Sequence, residues 1–479
     1  MSDEEWHGYW TRPDTGATVG GRLVLDDHGL ELVLYGSFFV WDGYDFRVGV
    51  GFPLATAQTV PVIHGQVIEP MTVLGATCDL PVSPFASAGF EVWEADAVIG
   101  ARVEPPDDGS EPTFTGVQLD LEMLPVWAGA RPAERRHWFG EHRTAITIRP
   151  HELASGRLPS GEEVTIEQGA GTTHVRLGLE IAMPVRMSIE GCERSTWVEL
   201  LNAWLQPTQA LLWLATARVG RVERVALRLD QPEDHSPKWG QLWFAQLDPP
   251  SGTSPDPSPH DVLFFAADLP GGFAASLARW KEIWSELKHI LGPLYARAAA
   301  PFAYANDRFY TAIAAVEAYH RYCVTSERDL PRLEHRARVS RLDDLLQDED
   351  AGFRTWAVNA AKPFNRIPLW RRIVEIAGTL EAIGHDLFGD DVEAFARIVE
   401  SARHGHAHAL EGESDFQSGE ALYTAADALT WLLRACLMID LGMSLEVVEE
   451  RIRRHQRFQS TTRRCRRILG ALDDQPTTD

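Results

Sequence analysis

The sequence is poor in cysteine, short of positive charge and without a long apolar run. Its five cysteines (Cys78, Cys192, Cys323, Cys436 and Cys465) are scattered over 479 residues and form no CxxC pair. That excludes a disulfide framework or a cysteine-rich zinc ribbon and points to a reducing cytoplasm. No stretch reaches the ~18 uninterrupted apolar residues of a membrane span. The nearest, Ala428 to Leu445, carries Arg434 and Asp440 and reads as a buried helix. The first residues, Met1 to Trp6, are acidic and lack the basic-then-apolar order of a secretory signal. A Walker A loop, a Rossmann glycine fingerprint and a GxSxG elbow are all missing, so nucleotide cofactors and serine hydrolysis lack support. No internal repeat is present.

The shortage of positive charge is uneven. The chain as a whole carries a formal net charge of −24, which argues against a nucleic-acid partner. Residues 1–260, however, hold 36 acids against 18 bases, whereas residues 261–479 hold 33 against 27. Between Arg451 and Arg467 there are eight arginines and no acid. Two readings of that segment stay open. It binds a phosphate backbone, or it is a terminal helix whose arginines pair with acids elsewhere, including the N-terminal half.

What is present divides the chain in two. Up to about residue 190, short apolar or alternating runs broken by Gly, Pro and Asp predict strands of a β-sandwich or barrel. Examples are 21–25, 30–34, 60–68, 144–148, and 163–167 with 174–181. A helix follows from Ser195 to about Ala217, with Ser195 as cap, Glu199 one residue late for a capping box, and Pro207 as a kink or split. Strands are expected at 222–229 and 241–247, and a loop at 248–259. From Phe273 the period turns helical. The stripes are Phe309, Ile313, Val316, Tyr319 or His320, Cys323; then Leu342, Leu345, Leu346; then Val392, Phe395, Val399, Ala402; and finally Leu429, Leu432, Leu433, Cys436, Leu437. Five or six helices make an all-α bundle. The fold class is α+β multidomain: a β-rich, sandwich-like N-terminal domain at 1–295, then an all-α bundle at 296–472. The sixteen tryptophans read chiefly as core.

One cluster carries chemistry. Arg403, His404, His406 and His408 fall within six positions. Three readings compete. On a strand the three histidines would share one face and could hold a metal, but on a helix only His404 and His408 would, and the HxHxDH continuation of a metallo-β-lactamase is missing. Alternatively, Arg403 and a histidine serve metal-independent RNA cleavage, which needs a base for the ribose 2′-hydroxyl, an acid for the leaving 5′-oxygen and a cation for the phosphate. An R-x4-H pair on an unbroken helix lies about 140° apart, so convergence needs a helix end, a bend at Gly405 or a dimer interface. The third reading is a solvated helix end.

Several segments resemble ApeA-like proteins with a HEPN domain (higher eukaryotes and prokaryotes nucleotide-binding). Residues 309–321 resemble the opening HEPN helix, 341–346 its second element, and 395–408 the helix leading into the R-polar-x3-5-H motif. In the front half, 7–10, 19–23, 30–36, 62–65 and 263–268, followed by 273–284, resemble the ApeA N-terminal domain. The resemblance implies a bacterial anti-phage protein acting by abortive infection. It implies a HEPN endoribonuclease domain that needs no metal or other cofactor, with tRNA the expected target class, restrained by the N-terminal domain until a phage-derived trigger is sensed. It places Arg403 and His408 as the core pair, with His404 at the polar position where Asn is usual. Glu317 stands where the family has an acid, as an active-site residue or a salt-bridge partner. It implies a homodimer through the HEPN domain with a composite site, and no membrane partner. The alternatives are a non-catalytic HEPN scaffold binding RNA or protein and a metal-dependent hydrolase built on the histidine cluster.

Overall fold

The computed structural model describes residues 4–26, 29–38, 58–78, 91–130, 134–138, 143–147, 149–175, 178–229, 239–245, 259–300, 304–323, 328–407 and 418–473. The expected loop at 248–259 lies almost wholly outside the described residues, as does His408.

The front half is β-rich. Strands β1 (Glu4–Thr11), β2 (Thr18–Asp26), β3 (Gly29–Leu34), β4 (Gln58–Gln66), β5 (Pro70–Cys78) and β6 (Glu91–Ala95) run in the order β5-β4-β1-β2-β3-β6. The pairing of Thr77 with Glu94 returns β6 to β5. Of the two architectures left open, this end of the sheet is a six-stranded barrel. Period-two alternation sends Leu23, Leu25, Leu30, Leu32 and Leu34 into its interior with Trp10 and Trp93.

Beyond the barrel the same sheet continues through β7 (Ala97–Ile99), β8 (Phe114–Leu121), β11 (His151–Arg157), β12 (Glu163–Gln168), β15 (Val185–Ser195), β16 (Val222–Arg228) and β17 (Trp239–Phe244), in the order β11-β12-β15-β8-β16-β17-β7-β5. The branch is at β5, whose residues 72–74 also pair with β7. Here both sheet faces are covered: Val73 and Val98 point into the barrel, Leu74 and Ile99 into the larger core. Two hairpins stand apart, β9 (Glu134–Trp138) with β10 (Arg143–Thr147), and β13 (Gly171–Val175) with β14 (Gly178–Ala182). Residues 163–168 therefore pair with β11 and β15 and not with 174–181.

After a single turn, α1 (Leu124–Trp127), the first substantial helix is α2 (Trp197–Leu200), a π-helical turn at Leu201–Leu205, and α3 (Gln206–Thr216). Its cap is Thr196 and not Ser195. The Thr196 hydroxyl accepts from the Glu199 amide at 3.3 Å, and the Glu199 carboxylate accepts from the Thr196 amide at 2.9 Å, so the capping box has its normal spacing. Pro207 has no N–H to offer the preceding turn, and the ladder slips there to a bond from Gln206 N–H to Leu201 O.

Helix α4 (Phe273–Ala299) crosses from one half to the other, burying Leu277, Trp280, Trp284, Leu287, Leu291 and Leu294 at helical spacing. A division at 295/296 falls in its last turn. Behind it come α5 (Ala305–Cys323), α6 (Arg332–Leu345), α7 (Ala351–Ala361), α8 (Leu369–Gly378), α9 (Glu381–Phe388), α10 (Val392–Ala407), α11 (Gly419–Asp440), α12 (Leu445–Arg454) and α13 (Gln456–Asp473). That is nine helices among the described residues against the five or six expected. The excess lies in short helices of eight to eleven residues, α7, α8, α9 and α12. The extended sheet, α4 and the helical half share one continuous core.

The stripe expected at Leu342, Leu345 and Leu346 does not form a core face. α6 buries no side chain and packs on α7, which buries none either, and Leu345 is 72% exposed. Helix α11 is the one described helix long and apolar enough to cross a membrane, and it lies inside the protein. Its Arg434 is buried there.

Candidate active site

Helices α5, α8 and α10 meet along a polar seam. α10 buries Phe395, Ala396, Val399 and Ala402 in the core, and that stripe fixes its rotation. Arg403, one residue past Ala402, is thereby turned toward α5. Its Nη1 donates to Glu317 Oε1 at 2.9 Å, with the arginine side chain 37% and the glutamate 18% exposed. Tyr310 lies seven residues before Glu317 on the same face of α5 and feels the Arg403 charge; burial raises its hydroxyl pKa and Arg403 opposes that.

His404 points elsewhere. One residue on, the helix has turned about 100°, and the exposed ring donates from Nδ1 to the Glu400 carbonyl at 2.9 Å. A carbonyl only accepts, so Nδ1 carries a proton and the lone pair of the neutral ring sits on Nε2. Gly405 does not bend the helix, which runs on to Ala407. An internal glycine costs only about 1 kcal/mol against alanine, and the buried stripe of α10 outweighs it. The strand geometry that would align His404, His406 and His408 is therefore not adopted at 404–407. The His406 side chain and all of His408 lie outside the described residues.

Four further residues complete the seam. Buried His320, three residues after Glu317, donates from Nε2 to Glu375 Oε2 at 2.6 Å. Buried Arg372 donates to Ile367 O at 3.0 Å and to the Glu317 carbonyl at 3.4 Å. Burial raises the Glu375 pKa, but hydrogen bonds from His320 and Arg371 more than offset it and hold the carboxyl below the usual range. Glu400 caps α8 by accepting from Leu369 N at 2.9 Å. Of these, only His320 left a trace in the sequence, as a member of the α5 stripe. The partners of the others lie on helices whose approach no local spacing reveals.

The basic segment at 451–467 resolves toward internal pairing. Arg451 meets Asp268 at 2.7 Å, Arg453 meets Asp386 at 2.6 Å, Arg464 meets Asp427 at 2.6 Å, and Arg467 meets Glu420. Arg457 donates to Ala217 O at 2.9 Å.

Two known family models match the chain. A model described as ApeA N-terminal domain 1 matches residues 5–280, more than half of the chain. The chain belongs to the ApeA family. A second model, Apea-like HEPN, matches residues 311–447 and so spans Glu317, His320, Arg372, Arg403 and His404. The ApeA N-terminal match ends inside α4, and the HEPN match begins inside α5. No curated protein and no solved structure matches the chain. An ApeA-type front and a HEPN back are thus joined by α4.

Proposed function

We propose that this ApeA-family protein is a metal-independent endoribonuclease of the HEPN type, serving bacterial anti-phage defence by abortive infection in the cytoplasm, with tRNA as its target class. The observation that carries this reading is Arg403, half exposed at the end of α10 and oriented by Glu317 within the segment matching the HEPN model. A permanent, planar cation held by a carboxylate is suited to the charge of a pentacoordinate phosphate. His408 and His404 supply the imidazoles for the proton transfers. The 2′-oxygen attacks the adjacent phosphorus, the bond to the 5′-oxygen breaks, and the products are a 2′,3′-cyclic phosphate and a 5′-hydroxyl. A homodimer would bring Arg403 and His408 from two chains into one composite site, which answers the roughly 140° between them on a helix. The ApeA-type front would restrain the site until a phage-derived trigger binds.

The deciding experiment is incubation of the purified protein with total tRNA, with and without EDTA. Cleavage that resists EDTA and leaves cyclic-phosphate ends is expected. EDTA-sensitive cleavage would move the site to a metal-dependent hydrolase, and no cleavage in the presence of infected-cell extract would leave a non-catalytic scaffold.

A further inference from the structure

The hairpin formed by α6 and α7 is unlike the rest of the helical half because it buries no side chain. It is nevertheless firmly rooted. Asn365, itself buried, accepts from Leu330 N at 2.9 Å and donates to Leu330 O at 3.0 Å. His335 donates from Nε2 to the Lys362 carbonyl at 3.1 Å, and Arg328 and Arg366 form a backbone bridge. These bonds fix the loop at 362–366 against the first turn of α6. They also leave Phe364 78% exposed between the exposed side chains of Lys362 and Arg366. Arg332 and Arg336, four residues apart on one face of α6, flank His335 and are exposed as well.

The charge here differs from that at the C-terminus. The arginines of 451–467 are taken up largely by carboxylates of the same chain. Among the described residues, none of Arg332, Arg336, Lys362 and Arg366 forms an ion pair. In a chain of net charge −24, four exposed cations that form no ion pair, on the loop that carries the exposed Phe364 ring and on the first turns of the helix it is bonded to, stand out, although Lys362 donates to Asn359 Oδ1 at 3.0 Å and helps to lower the Asp343 pKa. The combination is that of a single-stranded nucleic-acid platform, with a ring for a base and cations for the flanking phosphates. The location suits it. Five residues after Phe364, Leu369 opens α8 with its amide on Glu400, three residues before Arg403.

Resting on the ribonuclease reading above, we propose that Phe364, with Arg332, Arg336, Lys362 and Arg366, is the platform that holds an RNA strand beside Arg403, one base stacked on the Phe364 ring.

The test uses the full-length protein and a 2′-O-methylated single-stranded RNA, which has no 2′-hydroxyl to attack and so separates binding from cleavage. Binding is followed by fluorescence anisotropy over a range of salt. Phe364→Ala should weaken binding about tenfold and Phe364→Trp should restore it. The double variant Arg332→Gln/Arg336→Gln should weaken binding and reduce the log–log salt slope by about 1.4. On tRNA, Phe364→Ala should raise KM with kcat little changed. Unchanged affinity and slope in these variants overturn the platform. So does a change in sedimentation without a change in RNA affinity, which would make the hairpin a contact between copies. A wild-type protein that binds RNA through Phe364 but cuts no tRNA leaves the platform standing and removes the ribonuclease reading.

Discussion

Arg434, in the middle of α11, donates Nη1 to the Leu214 carbonyl at 2.8 Å and also to that of Trp213, reaching from the helical half into the C-terminal turn of α3. A helix end leaves carbonyls without N–H partners and carries partial negative charge, so a buried cation there satisfies both needs. The guanidinium lies 4.4 Å from the Trp213 ring centroid and 5.1 Å from that of Trp431. Burial first, then Arg457, lowers its pKa to about 9, which keeps it charged at neutral pH. Arg451 on Leu263 O and Arg457 on Ala217 O extend the same fastening. The basic segment thus joins the two halves of the protein.

Replacing Arg434 by Met should destabilise the whole chain by about 2–3 kcal/mol, because Leu214 O and neighbouring polar atoms lose their buried donor. Chemical denaturation followed by tryptophan fluorescence measures this. A midpoint equal to that of the wild type would mean that the fastening lies elsewhere.

At the candidate site, Arg403→Lys keeps a charge but loses the planar fork, and should cut tRNA at least tenfold more slowly than the wild type. Glu317→Gln should also reduce cleavage while costing no more than about 1 kcal/mol of stability, since the pair is partly solvated. Turnover assays and thermal melts on the same preparations separate the two effects. Full activity in both variants would remove Arg403 from the chemistry.

His455 supplies a pH dependence. Its ring is buried against Trp431, donates from Nε2 to Asp261 O at 3.2 Å, and accepts from Arg457 N at 3.2 Å. Burial first, then the charges of Arg434 and Arg457, lowers its pKa from 6.5 to about 4, against a smaller opposing pull from Asp261. The unfolded chain therefore takes up this proton near pH 6.5 and the folded chain only near pH 4. Stability contributed by the neutral ring is complete above 6.5 and is lost as pH falls through that window, by up to about 3 kcal/mol. Urea midpoints measured from pH 7 to pH 4.5 should fall less steeply in His455→Gln than in the wild type.

In the barrel, Gly75 has φ +63° where β5 leaves β6 for β7, and a Cβ there would lie 2.0 Å from an Asp96 carboxylate oxygen. Gly75→Ala should cost about 1–3 kcal/mol from left-handed strain and crowding. Equal thermal midpoints for variant and wild type would show that Asp96 moves aside freely.

Some of this is legible in the sequence. Alternation at 21–25 and 30–34 is enough to make strands, because side chains on a strand point to opposite faces whatever the neighbours are; the closure of those strands into a barrel, by the pairing of Thr77 with Glu94, is tertiary. The stripe from Phe309 to Cys323 likewise makes α5, and it places Glu317 and His320 on adjacent turns. The helix cap falls on Thr196, one residue after the Ser195 that the sequence suggests, because Thr196 offers the same chemistry with better spacing to Glu199. Leu345 lies exposed on a helix whose spacing suggests a core face, because a period of 3.6 shows that a helix has an apolar side and is silent on whether anything covers it.

The sequence by itself determined the division into a β-rich front and a helical back, and the residue types of the Arg403 cluster, since periodicity and composition are local properties of the chain. Tertiary structure alone decided what the charges do. Arg467, Arg453 and Arg451 find their acids 47, 67 and 183 residues away. Arg332 and Arg336 have no such ion pair among the described residues. A run of arginines reads the same in either case, because the partner that neutralises a charge is chosen by proximity in space, and the chain order does not record it.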